Sequence, residues 1–414
     1  MAPFPPPPVS TIEWTNTDNL KFHEAIGHIE STYSRATGKW TPLKFVKDPY
    51  LRMHGMAPAL NYGQQCLEGL KAFRTPSGVA VFRPERNAQR FQHSAEVLSM
   101  PPVPTELFVA ACRAAVALNA AYAPPHDSGG ALYVRPLLLG TGALLPPSPA
   151  EDYAFLVFVA PTPAGVHDAP LPARALVLDE FDRAAPRGTG HAKVGGNYAP
   201  VLRFSGAARA SGFGITLHLD SARHEEVDEF STCGFIGVRT RSPPGGGPPG
   251  SGGVTLVVPD SPCVIDSVTS DSVQQIARDA CGWGVERRRI AYTELPEFSE
   301  VLGAGTGVAL CPIRSITRRT SGAKGLCNGS ANGLANGLYS GPSVQKLPAG
   351  PRVVSDADSE TVTYLDDEQE SGGPVFLELL KRLKDIQLGK AKDEFGWLSL
   401  VRAEDGAIDG GNEE

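Results

Sequence analysis

The sequence predicts a mixed α/β chain of two domains, on three observations. Short apolar runs of strand character alternate with longer stretches whose apolar residues recur every three to four positions, the helical period. The chain has 414 residues, of which 41% are hydrophobic and 20% charged, enough to build more than one ordinary core. Midway, Pro161-Thr-Pro-Ala-Gly-Val-His-Asp-Ala-Pro170 breaks the pattern with turn-forming residues. These place an extended arm at 1–12, a smaller domain at 13–163, a linker at 164–174 and a larger domain at 175–414.

Taken in order, the prolines of Met1-Ala-Pro-Phe-Pro-Pro-Pro-Pro8 favour a poorly ordered polyproline arm. Val79–Arg83 reads as a strand closed by Pro84. Asn87–Met100 has helical spacing in Ala88, Phe91, Ala95 and Leu98 and ends at Pro101 and Pro102. Residues 105–122 are Ala-rich and helical. Ala131–Arg135 and Ala154–Ala160 read as buried strands, and Ala175–Leu178, Ala199–Ser211 and Ile215–Leu219 as strand, helix and strand. Two low-complexity insertions interrupt the second domain: the Pro/Gly tract 242–253, expected as a hairpin tip, and 320–372, opening with repeated Asn-Gly and expected to be unstructured. A helix returns at Pro374–Gln387 with one apolar face of Phe376, Leu379, Leu380, Leu383 and Ile386, and 403–414 reads as a flexible tail.

Composition narrows the function classes. The formal net charge is −7 and Lys and Arg form no long basic tract, which argues against nucleic acid as a partner. Seven cysteines with no CxxC pair suggest buried thiols in a reducing compartment and neither a metal site nor a disulfide framework, although Cys66 and Cys233 stand inside the motifs below. No apolar stretch is long enough to span a bilayer, and the N-terminus has no secretory pattern. A cytoplasmic location is the default, with the mitochondrion left open.

The chemistry centres on Gly188-Thr-Gly-His-Ala-Lys-Val-Gly-Gly-Asn-Tyr-Ala199, where Lys193 stands among four glycines. Small neighbours allow a close backbone approach to a ligand, and a desolvated amine can attack a carbonyl such as that of pyridoxal phosphate. A basic residue in a glycine turn is the plain alternative.

Four ordered segments decide for the first. They are Asn61-Tyr-Gly-Gln-Gln-Cys-Leu-Glu-Gly-Leu-Lys-Ala-Phe-Arg74, Leu132-Tyr-Val-Arg-Pro136 leading into Gly140-Thr-Gly142, the Lys193 segment, and Leu302-Gly-Ala-Gly-Thr-Gly-Val-Ala-Leu-Cys-Pro312. Together they resemble the branched-chain amino-acid aminotransferases, pyridoxal-phosphate enzymes of fold type IV. The resemblance implies a small α/β N-terminal domain, a larger pseudo-barrel domain and a homodimer. It also implies roles. Lys193 matches the Schiff-base lysine that moves the substrate proton. Glu229, in Val227-Asp-Glu-Phe-Ser-Thr-Cys-Gly-Phe235, matches the acid on the pyridine nitrogen, and Tyr198 the partner of the phenolic oxygen. Arg90, with its guanidinium fork, matches the phosphate arginine. The amides of Val268 and Thr269 match a phosphate-binding helix N-terminus, completed by the Thr306 hydroxyl. Tyr62, Tyr133, Thr232 and the backbone of Thr306-Gly307 match substrate-pocket positions, Thr232 counting with the cofactor as well. Arg135 matches an arginine beside that pocket, with a structural ion pair as its other reading.

Three positions depart from the family pattern. Leu67 replaces a usual aromatic and bears on the substrate pocket, Gly234 replaces a usual Asn, and Ile265-Asp-Ser-Val-Thr-Ser270 lacks the usual Pro-Gly turn and terminal Arg. The implied activity is transamination between a branched-chain or related apolar L-amino acid and 2-oxoglutarate, in a specialised pathway. Another reaction on the same scaffold (D-amino-acid or amine transamination, or a lyase) and a non-enzymatic ligand-binding descendant are the alternatives.

Overall fold

The structure, a computed structural model, describes residues 3–14, 22–162, 170–241, 253–319 and 350–408. It divides into two compact units: Met1–Ala169 with Ala192–Gly196 and Lys381–Glu414, and Pro170–His191 with Asn197–Leu380. Two pieces therefore leave the order expected from the sequence. The five residues around Lys193 join the first unit, as does the chain beyond Leu380.

The first unit is built on a nine-stranded antiparallel sheet. Its strands are β1 (His28–Ser34), β2 (Lys39–Trp40), β3 (Lys44–Val46), β4 (Gln65–Leu67), β5 (Leu70–Thr75), β6 (Gly78–Phe82), β7 (Ala131–Gly140) and β8 (Asp152–Thr162), with the C-terminal strand Leu398–Val401 on the free side of β6. A four-residue strand so far from its partner carries no local signal. Its sequence neighbour Trp397 is nevertheless buried, under the Arg83 guanidinium 4.8 Å from the ring. The strand expected to stop at Arg135 runs through Pro136 to Gly140. Pro136 stands opposite the kink at Glu68-Gly69 that separates β4 from β5, and its carbonyl accepts the Glu68 N–H at 2.9 Å. The missing proline donor therefore costs no ladder bond on that side.

Three helices accompany the sheet: α1 (Pro58–Asn61), α2 (Pro84–Val97) and α3 (Thr105–Leu118). Pro84 starts α2 because proline has φ preset for the first helical turn and lacks a donor the turn cannot use. The expected apolar stripe of α2 is buried at Ala88, Phe91 and Ala95, and Phe91 meets Phe108 of α3 and Phe155 of β8 at 5.3 and 5.8 Å. Each such ring pair contributes about 0.5–1.5 kcal/mol beyond the area it buries.

Both ends of the chain are better anchored than their composition suggests. In the arm, the Pro6 carbonyl accepts Arg74 Nη2 at 2.6 Å, the Val9 N–H bonds the Ala121 carbonyl at 2.8 Å, and Ile12 is buried. Proline carbonyls are strong acceptors, so an extended arm docks wherever donors are offered. In the tail, Ala403–Gly406 forms a 3₁₀ turn held by an Arg113–Asp405 ion pair at 2.9 Å.

The second unit carries a ten-stranded mixed sheet. Its strands are β9 (Ala173–Val177), β10 (Ile215–Leu219), β11 (Val227–Phe230), β12 (Gly234–Thr240), β13 (Val254–Pro259), β14 (Gly284–Arg288), β15 (Glu300–Gly305), β16 (Ala309–Arg319), β17 (Arg352–Ser355) and β18 (Ser359–Thr363). They run β11-β10-β9-β16-β15-β12-β13-β14, with β18 on β16 and β17 on β18. The long β16 changes partners, from β15 over Ala309–Pro312 to β9 and β18 beyond Ile313, and this curls the sheet. Helices α4 (Leu202–Ala210) and α5 (Val268–Gln275) belong to this unit, as does the start of α6 (Pro374–Gln387), whose residues from Lys381 count with the first. The buried Glu300 carboxylate accepts the Val375 and Phe376 N–H groups at the start of α6.

The linker expected at 164–174 overlaps β9, which starts at Ala173; residues 163–169 lie outside the described residues. So does nearly all of the 242–253 tract, which joins the paired strands β12 and β13. The insertion expected over 320–372 needs correction. Residues 320–349 are not described, but 352–363 form the β17–β18 hairpin, and Val362, Tyr364 and Leu365 are buried in the core. Alternation of Val, Thr and Tyr was the legible signal there.

Candidate active site

In the first unit, Lys193 is held by its backbone from two sides. Its N–H donates to Ser94 Oγ on α2 at 2.8 Å, and its carbonyl accepts the Leu67 N–H of β4 at 3.0 Å. Cys66 and Val194 form an antiparallel bridge beside it. The flanking glycines serve the protein's own packing as well as any ligand. A Cβ on Gly195 would lie 2.2 Å from Gln65 Nε2, and one on Gly190 would lie 2.2 Å from the Ala184 Cβ. Gly196 is open and carries no such demand.

Arg90 is nearly buried on α2, but its fork does not wait for a phosphate. Nε and Nη2 grip Glu68 Oε1 and Oε2 at 2.6 and 2.8 Å, and Asn87 Nδ2 and the Gly69 N–H also donate to Glu68, at 2.8 and 3.0 Å. The reason is Glu68, whose side chain has no exposure at all and must have a cation. Burial alone would push its carboxyl up, but the Arg90 charge and bonds, the Lys193 charge and the Gly69 N–H together hold it below the usual 4.5. Ser94 closes the chain by donating to the Arg90 carbonyl at 3.0 Å. Glu68, Asn87 and Ser94 join Arg90 and the Lys193 backbone in one hydrogen-bonded cluster that reading the sequence missed. Glu68 was legible as an acid between apolar strand residues, and Ser94 as the residue one turn beyond Arg90 on the same helix face.

Tyr133 and Arg135 lie on one face of β7, with Arg135 Nη2 donating to Tyr133 Oη at 3.0 Å. A Cβ on Gly69 would fall 2.1 Å from that hydroxyl, so the glycine of the Glu-Gly-Leu-Lys motif makes room for Tyr133. Both residues line a cavity of about 400 Å³ with Phe22, Pro49, Tyr50 and Phe158. Arg135 Nε is buried and has no hydrogen-bond partner among the described residues. Leu67 pairs with Leu137 on β7 and does not line this cavity. Tyr62 is exposed after α1, its hydroxyl on the Leu145 carbonyl.

In the second unit, Glu229 lies on β11 with a buried side chain. Its Oε1 meets Arg183 Nη2 at 2.6 Å and accepts the Ile265 N–H at 3.1 Å. Tyr198 precedes the 3₁₀ turn Ala199–Val201. Thr232 is exposed between β11 and β12. Val268 and Thr269 open α5 as expected, behind Ser267, whose Oγ accepts the Ser270 N–H and donates to the Ala304 carbonyl. Thr306 and Gly307 form the turn joining β15 to β16. Glycines 303 and 305 are needed there because a Cβ on either would strike Cys233, at 2.7 and 2.9 Å.

The departures from the family pattern have local consequences. Gly234 faces Ser267, where a Cβ would make an ordinary 3.5 Å contact, so nothing in the backbone demands glycine. A small cavity of about 30 Å³ remains there, lined by Glu229, Gly234, Ile265, Ser267 and Ser270. Ser270 is buried and accepts Gln274 Nε2, so no cation stands at that position of α5. Burial pushes both the Cys66 and the Cys233 thiols up, which makes them poor nucleophiles. The expectation of buried thiols holds only in part among the described residues: Cys66, Cys112 and Cys263 are buried, while Cys233, Cys281 and Cys311 are half-buried.

Within the second unit, a carboxylate held by an arginine and a hydroxyl-bearing turn beside a helix N-terminus are donors that suit a pyridine ring and a phosphate. The model of the class IV amino-transferases matches residues 65–316. The chain belongs to this family. The class IV aminotransferase is 45% identical over 401 residues to "Aminotransferase poxL" of Penicillium oxalicum, with 96% of each chain covered. It is 42% identical over 403 residues to "Branched-chain amino acid aminotransferase gloG" of Glarea lozoyensis, covering 96% of this chain and 98% of that one. Its fold is similar to the branched-chain amino acid aminotransferase from Thermobaculum terrenum, solved in its PLP-form, at TM-score 0.63 and 17% identity, covering 92% of this chain and all of the other. The expected fold type IV architecture and pyridoxal phosphate as cofactor both stand.

Proposed function

We propose that this aminotransferase moves an amino group between a branched-chain or related apolar L-amino acid and 2-oxoglutarate, yielding the 2-oxo acid and L-glutamate, in the cytoplasm and in a specialised pathway. The observation that carries the reading is the cavity beside Tyr133 and Arg135. Its walls are largely apolar, as an aliphatic side chain requires, and the Arg135 guanidinium among them suits the second carboxylate of glutamate. One pocket can then serve both substrates in turn. The poxL and AMT5 relatives, named aminotransferase and transaminase, favour transamination over the lyase and ligand-binding alternatives.

Bound pyridoxal phosphate supplies an aldehyde for amine capture and a ring that accepts the electron pair of a deprotonated carbon. In this reading the Lys193 amine holds the cofactor and carries the proton to and from the substrate Cα. Glu229 holds a proton on the ring nitrogen and Tyr198 donates to the phenolic oxygen. Val268, Thr269 and Thr306 would receive the phosphate end, with Thr232 also beside the cofactor, and Arg90, fixed by Glu68, would add positive potential.

Assay of a panel of 2-oxo acids with L-glutamate as donor tests the reading. Turnover should be highest with apolar 2-oxo acids, and Arg135→Leu should raise KM for glutamate by at least about tenfold, the loss of one charge-assisted contact, while changing KM for an apolar amino acid far less. Activity confined to D-amino acids or to amines would sink it.

A homodimer is part of the same proposal. Leu60, Tyr62 and Leu145 are exposed by 63, 47 and 73% on one part of the first unit, where the Tyr62 hydroxyl joins the Leu145 carbonyl. Apolar side chains gathered in this way suit a protein partner. Light scattering should give twice the chain mass of 43.8 kDa. A single-chain mass at micromolar concentration would reject the dimer.

A further inference from the structure

We infer that Arg183 is the positioning residue that makes Glu229 a permanent anion and aims it at the cofactor ring; the inference rests on the role proposed above for Glu229. The two side chains are 3 and 5% exposed, with 2.6 Å between Arg183 Nη2 and Glu229 Oε1. A carboxylate so deeply buried would take up a proton if it stood alone. A neutral acid cannot keep a pyridine nitrogen protonated, so the charge on Glu229 needs a cation that stays in place.

Arg183 is built to stay. Its Nη2 also donates to the Cys263 carbonyl at 2.6 Å and its Nη1 to the Gly190 carbonyl at 3.2 Å. One planar fork thus ties β11 to the loop that leads into Lys193 and to the turn that leads into α5. The Ile265 N–H on Glu229 Oε1 completes the clamp. Lysine has the charge but lacks the fork that reaches a carboxylate and two carbonyls together.

The groups around the guanidinium leave Glu229 as its main counter-charge. His218 on β10 is buried, and burial followed by the Arg183 charge lowers its pKa to about 3, so it stays neutral. Asp228, on the same strand as Glu229, also feels Arg183, but burial raises its carboxyl and Ser261 hydrogen-bonds it. Neither replaces the 2.6 Å pair.

The test uses full-length protein reconstituted with pyridoxal phosphate isotope-labelled at the ring nitrogen, whose NMR shift separates protonated from neutral pyridine. Wild type should show the protonated form. Glu229→Gln should lose it, and Arg183→Met should lose it too while still forming the coloured Lys193 adduct. Arg183→Lys should keep the protonated signal but bind cofactor about tenfold more weakly, the effect of one lost charge-assisted bond. A protonated ring in Arg183→Met, alongside a neutral one in Glu229→Gln, overturns the inference and spares the role of Glu229. A protonated ring in Glu229→Gln overturns both. If Arg183→Met does not fold, Arg183→Lys decides: wild-type cofactor affinity overturns the clamp, and a tenfold loss with the protonated signal retained supports it.

Discussion

Lys193→Ala is expected to yield a folded, colourless protein with kcat lower by about 10⁴-fold, since the amine serves both as the covalent anchor and as the proton carrier. The fold should survive because the residue is held through its backbone, by Ser94 Oγ and the Leu67 N–H, and an alanine keeps both bonds. Unfolding free energy should change by less than about 1 kcal/mol, as for substitutions outside the core. Absorbance after incubation with pyridoxal phosphate and a single-turnover assay check the two halves. A variant that stays yellow and active would remove the lysine from the site.

Glu68→Gln is the second large effect, and it falls on stability. The change leaves Arg90 buried with a neutral partner, and breaking a buried pair costs about 3 kcal/mol or more. Urea unfolding should show it as a lower midpoint with an unchanged slope. The pH dependence has a definite sign. Because the folded-state carboxyl of Glu68 sits below its ordinary 4.5, its contribution is complete above pH 4.5 and is lost as pH falls from there through the folded value. Wild type should therefore lose stability over that acid range more steeply than Glu68→Gln, and parallel curves would refute the assignment. The cofactor should also bind the variant less tightly, since Arg90 loses the partner that orients it.

The elements most legible in the sequence were those with strong local period. α2, α3 and α6 lie within a few residues of the places that apolar spacing, prolines and Ala content marked. β8 was legible as a continuous apolar run and β10 as an alternation of apolar and polar residues. The short Leu398–Val401 strand was not, because it owes its form to a distant partner, β6, and the β17–β18 hairpin, whose alternation was legible, was hidden by the low-complexity tract before it. The same division runs through the site. Lys193, Glu229, Tyr198 and the Thr306 turn were named from ordered motifs. Arg183, in an undistinguished loop 46 residues before Glu229, carried no signal that separates it from other arginines.

What the sequence by itself determined is the type of chemistry and the local elements that present it. Residue identity and spacing are local properties, and a lysine among glycines, a helix opening at Val268 and a Gly-Thr-Gly turn express them directly. The tertiary structure alone decided which charges are neutralised and by whom. Glu68 takes the fork of Arg90, Arg183 takes Glu229, and Arg135 Nη2 goes to the Tyr133 hydroxyl. The physical reason is that a buried charge must find its counter-ion in space, and only the folded chain fixes which groups lie within about 3 Å of one another.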